Sequence, residues 1–201
     1  NDLRDEFRKF DTLITEETNT KKYLMKTLVI VAHPDLEKSV VNRRWVAEAE
    51  KHPERFTVHR LYQSYPDERI DIAREQALVE QHGTLVLQFP IYWFGCPSLL
   101  KKWMDQVLAF GWAFGPQPEA DKMRGRKVAL AVSAGIREED FSPEGIYGHT
   151  LGELLLPFEA MCRYVDAVFG GFHALYGAEA GLPASVLEEN TRRYMHFLEN
   201  L

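Results

Sequence analysis

Cysteine is scarce: Cys96 and Cys162 are the only two among 201 residues. They cannot build a disulfide framework and show no repeated Cys-x-x-Cys spacing for a metal, which fits a reducing compartment. Positive charge is short as well, with 24 Lys and Arg against 30 Asp and Glu and a formal net charge of −6. A surface that tracks phosphates needs the opposite balance, so nucleic acid is excluded as the main partner. Any anionic ligand must be met by local donors. No uninterrupted apolar run approaches the roughly 18 residues of a membrane helix. The first 24 residues are charged and lack the apolar core of a signal peptide, so a cytoplasmic protein is expected. Glycine-rich phosphate loops are missing too: neither the Walker pattern nor G-x-G-x-x-G occurs, which sets ATP chemistry aside.

What is present is globular. Hydrophobic residues make up 45% and charged residues 27%, in a chain with room for one domain of ordinary size. Residues 1–24 read as an N-terminal extension or leader, with Leu3, Phe7, Phe10 and Ile14 at near-helical spacing. From Met25 to residue 201 the pattern alternates. Apolar strands are expected at 26–32, 56–61, 84–89, 127–133 and 167–176, and helices at 39–52, 71–82, 97–108, 150–164 and 183–201. Continuous apolar strands separated by helices mean a parallel sheet covered on both faces. Right-handed crossovers then favour an α/β fold of five strands in the order 2-1-3-4-5. Ligands of such sheets bind beyond the carboxyl ends of the strands, so the loops after Ala32, Phe89 and Ser133 are the candidates.

The first loop, Ala32-His33-Pro34-Asp35-Leu36-Glu37, resembles the Ala-His-Pro-Asp-Asp motif of zinc-dependent deacetylases. Leu36 stands where the second metal-binding Asp would be, and no other His pair supplies ligands, so no metal is expected. The opposing reading is an anion site. Ser39 would cap the next helix and leave the amides of Val40, Val41 and Asn42 to face a phosphate. By itself the loop is equally well explained as a simple cap beside a loop histidine.

In the second loop, Pro90, Tyr92, Trp93 and Phe94 crowd together before Gly95. Aromatics at a strand end are explained either by packing or by a flat ligand that covers them. The stripe Leu99, Leu100, Trp103, Met104, Val107 and Leu108 on the following helix reads as core. The remaining histidines read as structural or solvated, and Cys96 as a packing residue.

Three segments carry a specific likeness: FPIYWFGCPSLLKKWMDQV, FGWAFGPQPEADKMRGRKVALAVSAG and FSPEGIYGHTLGELLLPFEAMCRYV. From Met25 to about Leu182 the chain resembles the NAD(P)H:quinone oxidoreductase family of the flavodoxin-like fold, its small bacterial members above all. The resemblance implies bound flavin, FMN or alternatively FAD, with NAD(P)H as co-substrate and a quinone-like acceptor. It implies that His33, Ser39, Val41 and Asn42 hold the flavin phosphate. Pro90, Ile91, Tyr92, Trp93 and Phe94 would run along the ring, and Ser133, Ala134 and Gly135 would close over its other edge. Ile136 replaces the second glycine of the family's Thr-Thr-Gly-Gly loop. Phe141 and Tyr147 fall where the family has Tyr and His. Tyr147 is therefore the candidate catalytic hydroxyl, with backbone amides around Ala134 and Gly135 as further donors. Phe110, Trp112 and Phe114 share a glycine-rich loop too short to bury three rings, and aromatics are enriched at interfaces. A homodimer is expected, with Trp112 and Phe114 over the partner's flavin. Other readings compatible with the resemblance are an azo or nitro reductase, a regulatory flavoprotein of a membrane potassium-efflux transporter, and a flavodoxin-type electron carrier.

Overall fold

In a computed structural model of the protein, residues 25–116 and 118–201 are described. The amphipathic helix expected within residues 1–24 lies outside them. Five strands form the sheet: β1 Thr27–Val31, β2 Phe56–Arg60, β3 Thr84–Pro90, β4 Lys127–Ser133 and β5 Val168–Leu175. Every pairing is parallel and the spatial order is β2-β1-β3-β4-β5, as the alternation of apolar runs and helices implies. β1 is an interior strand, with Val29 lying between Val58 of β2 and Val86 of β3.

Strand periodicity divides the core into two layers. Leu28, Ile30, Leu85, Leu87, Val128 and Leu130 face one layer, where Trp103 and Phe158 close the packing. Val29, Val31, Val86, Ala129 and Ala131 face the other, built around Trp45 and Tyr194. The two small alanines of β4 leave space for those two large rings. The helices that cover the layers are α1 Val40–Ala49, α2 Leu61–Ser64, α3 Ile72–Glu80, α4 Ser98–Val107, α5 Leu151–Leu154, α6 Leu156–Tyr164 and α7 Ala184–Glu199.

One expected helix is two. Thr150 and Glu153 form a reciprocal capping box that starts α5, and the turn ends at Leu155 (φ −91°, ψ −2°). Pro157, at the second position of α6, has no N–H to continue the first helix and restarts a new one. No helix among the described residues is long and apolar enough to cross a membrane.

Candidate active site

The loop after β1 begins at His33. Its ring Nδ1 accepts the Asp35 N–H at 3.1 Å, which leaves the proton of a neutral imidazole on Nε2. Partial burial pushes the His33 pKa below its usual value, against the opposing charge of Asp35. A short 3-10 turn, Leu36–Lys38, then leads to Ser39, whose Oγ accepts the Asn42 N–H at 2.9 Å as the cap of α1. The anion cradle expected here is therefore smaller by one donor. Asn42's amide is spent on the cap and its side chain is fully buried, while Val40 and Val41 keep first-turn amides at the positive end of the helix.

The loop after β3 is more unusual. Ile91 donates its N–H to Ser133 at 2.8 Å, tying the loop to the end of β4. Tyr92 and Gly95 exchange backbone hydrogen bonds at 3.1 and 3.0 Å across Trp93 and Phe94. Both central residues are left-handed, with φ of 49° and 62°. Mirror-image two-residue turns of this kind normally use Asn-Gly, because a side chain in that region costs about 1–2 kcal/mol. Here two aromatic residues hold the turn, and Trp93 stands 96% exposed at its tip. Strain of this kind collects at sites where it serves a ligand.

The third loop follows β4. Ser133 is buried and its Oγ accepts from Asn42 Nδ2 at 2.8 Å, joining the first and third loops directly. Ala134 does not offer the donor expected of it: its N–H goes to Leu175 at 2.8 Å, continuing the strand ladder beyond β4. Gly135 has Glu179 folded over it, and a Cβ there would stand 2.6 Å from the Glu179 carboxyl carbon. The same carboxylate, after burial and Tyr62, helps raise the Tyr92 pKa. Farther along, the Tyr147 ring lies 5.0 Å from Phe94 and 5.7 Å from Phe141. Phe141 is itself buried against Tyr176 at 5.8 Å. Tyr147 thus roofs the aromatic turn of the second loop.

Trp112 and Phe114 part company. Trp112 turns inward, buried, with its indole N–H on Glu80 at 2.7 Å. A buried indole needs such an acceptor, and α3 provides it, so Trp112 is not available to cover a partner's site. Phe114 stays half-buried, 5.3 Å from Tyr164, and Phe110 is 71% exposed beside it. Phe114 and Tyr164 border an apolar cleft of about 600 Å³ that reaches from Phe94 past Met104, Phe158 and Met161.

Three contributors were not apparent from the sequence. Glu179 lies in a loop without any pattern of its own. Gln88 sits inside an apolar strand, and Tyr194 inside an amphipathic helix, yet the two are hydrogen-bonded at 2.8 Å and Gln88 contacts Asn42 at 3.2 Å. A polar residue within LVLQF is the available signal for Gln88. Among the described residues no group of His, Cys, Asp or Glu converges as a metal set would.

The family model described as "Flavodoxin-like fold" matches residues 25–198. The chain belongs to this family. Among its flavodoxin-like relatives, an uncharacterized NAD(P)H oxidoreductase, YrkL, of Bacillus subtilis strain 168 is 43% identical over 76% of this chain and 86% of its own length. The glutathione-regulated potassium-efflux system ancillary protein KefG of Cronobacter sakazakii is 41% identical over 69% of this chain and 75% of its own. A crystal structure of general stress protein 14 from Treponema denticola, in complex with FMN, superimposes with a TM-score of 0.81 at 42% identity, covering 87% of this chain and 98% of that one.

Proposed function

We propose that the protein is an FMN-dependent NAD(P)H:quinone oxidoreductase that works as a homodimer. The observation that carries this reading is the meeting of a helix-terminal anion cradle with a strained aromatic turn at the carboxyl ends of adjacent strands, beside an apolar cleft. The residues fit a flavin. Lys38 pairs with Asp35 at 2.6 Å, and a phosphate would meet the His33 Nε2–H, the Val40 and Val41 amides and the α1 dipole. FMN is favoured over FAD by the FMN complex of the Treponema relative.

A bound flavin would supply hydride chemistry between a reduced nicotinamide nucleotide and an acceptor. The chain supplies the rest. The turn at Trp93 and Phe94 and the loop 133–135 orient the ring. Tyr147, backed by Phe141, excludes water and holds a hydroxyl proton beside the ring. Phe110, Phe114 and Tyr164 form the patch through which a second copy closes the cleft. A cytoplasmic location goes with this reading, since that is where reduced nicotinamide nucleotides are supplied.

A transporter-linked role is the second reading, favoured by the likeness to KefG. The test is anaerobic: reduce the purified protein with NADH or NADPH, then mix it with a quinone, an azo dye or a nitroaromatic. Fast reoxidation by quinone is expected. A protein that is never reduced by either nucleotide contradicts the enzyme reading and leaves the regulatory one.

A further inference from the structure

A buried polar chain runs from α7, across the centre of the sheet, to the end of β4. Tyr194, fully buried, meets Gln88 Oε1 at 2.8 Å. Gln88 Nε2 lies 3.2 Å from the Asn42 carbonyl and 3.2 Å from Asn42 Oδ1. Asn42 Nδ2 lies 2.8 Å from Ser133 Oγ. Side-chain amides can in principle be turned either way, so the direction of such a chain must be derived. Here the backbone derives it. The Asn42 main-chain carbonyl can only accept, so the Gln88 nitrogen must face it, and Gln88 Oε1 must face Tyr194. The phenol then has to donate, and its burial keeps it protonated at any ordinary pH. With Gln88 so fixed, Asn42 Oδ1 receives the amide proton of Gln88, and Asn42 Nδ2 is left to donate to Ser133. Ser133 thereby accepts, and its own proton goes to no group among the described residues.

The Tyr194 end is held as firmly. Trp45 stacks on the Tyr194 ring at 4.9 Å with 7° between planes. Trp45 Nε1 and His173 Nε2 both reach Asn190 Oδ1, at 3.1 and 2.9 Å, and Asn190 Nδ2 donates to the Ala174 carbonyl at 3.0 Å. The rotamers beneath the chain are thus locked by the same logic, a backbone carbonyl deciding an amide.

We infer that Gln88 and Tyr194 are positioning residues that fix the hydrogen-bond polarity of Ser133, so that Ser133 presents its proton to an acceptor atom of the bound flavin. The inference rests on the flavin reading above. Without Gln88, Asn42 is free to turn its oxygen to Ser133, which then spends its proton inside the protein. Losing Tyr194 leaves Gln88 Oε1 unpaired and drawn toward Asn42 Nδ2, with the same consequence in weaker form.

The test is a double-mutant cycle on FMN affinity and on the reduction potential of the bound flavin. Gln88→Met should weaken FMN binding by about tenfold and Tyr194→Phe by about threefold, the size of one neutral hydrogen bond. In a Ser133→Ala background both effects should vanish, and the single variants should move the potential in the same direction as Ser133→Ala. Effects that persist undiminished without the serine hydroxyl overturn the inference. So does a Tyr194→Phe protein that only melts earlier, with affinity and potential unchanged. If Gln88→Met does not fold, the Tyr194→Phe cycle decides alone. A wild-type protein that binds neither FMN nor FAD defeats the flavin reading itself, a failure separate from an additive cycle, and the inference falls with it.

Discussion

Tyr147 owes its place to two rings: Phe94 at 5.0 Å and Phe141 at 5.7 Å hold it above the aromatic turn. Tyr147→Phe keeps those contacts and deletes only the hydroxyl. Single-turnover flavin reduction by NAD(P)H should slow by about 10- to 100-fold, the weaker end of losing one preorganised donor. An unchanged rate would make Tyr147 a wall of the pocket and nothing more. A second residue bears on stability. Glu75 is completely buried, accepting from Tyr65 and Trp103 at 2.7 Å each, with His59 Nε2 at 2.9 Å but off the line of a good hydrogen bond. Burial pushes its pKa up, but the contacts with His59, Tyr65 and Trp103 outweigh burial and hold it below the usual carboxylate value. A depressed folded-state pKa means that the stabilisation is complete above the unfolded value of about 4.3 and is lost as pH falls through the lower folded value. Glu75→Gln should therefore be less stable at pH 7 by about 2–4 kcal/mol. The gap to wild type should close in denaturant titrations carried below about pH 4. A gap that stays constant down to pH 3 would remove Glu75 ionisation from the explanation.

At the scale of elements, the strands were the most legible part. β1, β3 and β4 are dominated by apolar residues, and burial on both faces allows little else. Ser39 as the cap of α1 was also readable, because a serine ahead of a helical pattern has one obvious use. Which amides that cap consumes was not readable: it depends on a rotamer that brings Oγ to Asn42 rather than to a ligand. The division of α5 from α6 was signalled by Pro157, although proline near a helix start and proline that breaks a helix look alike in sequence. Trp112 departs from its expected exposure for a related reason. A loop aromatic chooses between interface and interior by the partner its N–H finds, and Glu80 lies 32 positions away. The turn between β3 and α4 gives a direct check on stored strain. Trp93→Asn suits the left-handed backbone and removes an exposed ring, so it should raise the unfolding free energy by about 1 kcal/mol. Flavin affinity should fall in the same variant. A gain in stability with affinity untouched would show that the tryptophan has no part in the site.

For the whole molecule, the two faces of the site differ in what covers them. The sheet and its helices close it from below, while Phe94, Phe114, Phe110 and Tyr164 leave an apolar rim open on this copy of the chain. Monomeric proteins rarely keep such rims free. Light scattering at micromolar concentration should give twice the chain mass, and Phe110→Asp should halve it and lower turnover together. A fully active wild-type monomer would contradict the shared site. The anionic net charge of −6 sits on the same molecule as the proposed phosphate cradle, whose donors are neutral. That combination suits a cofactor held by geometry and helix dipole rather than by a cationic field. The most direct measurement is therefore on the cofactor: purify the protein, denature it, and identify what is released by mass. Yellow protein releasing FMN in a one-to-one ratio with chain is the expected result. FAD alone would reverse the choice of cofactor, and a colourless protein that takes up neither flavin would contradict the function proposed for these loops.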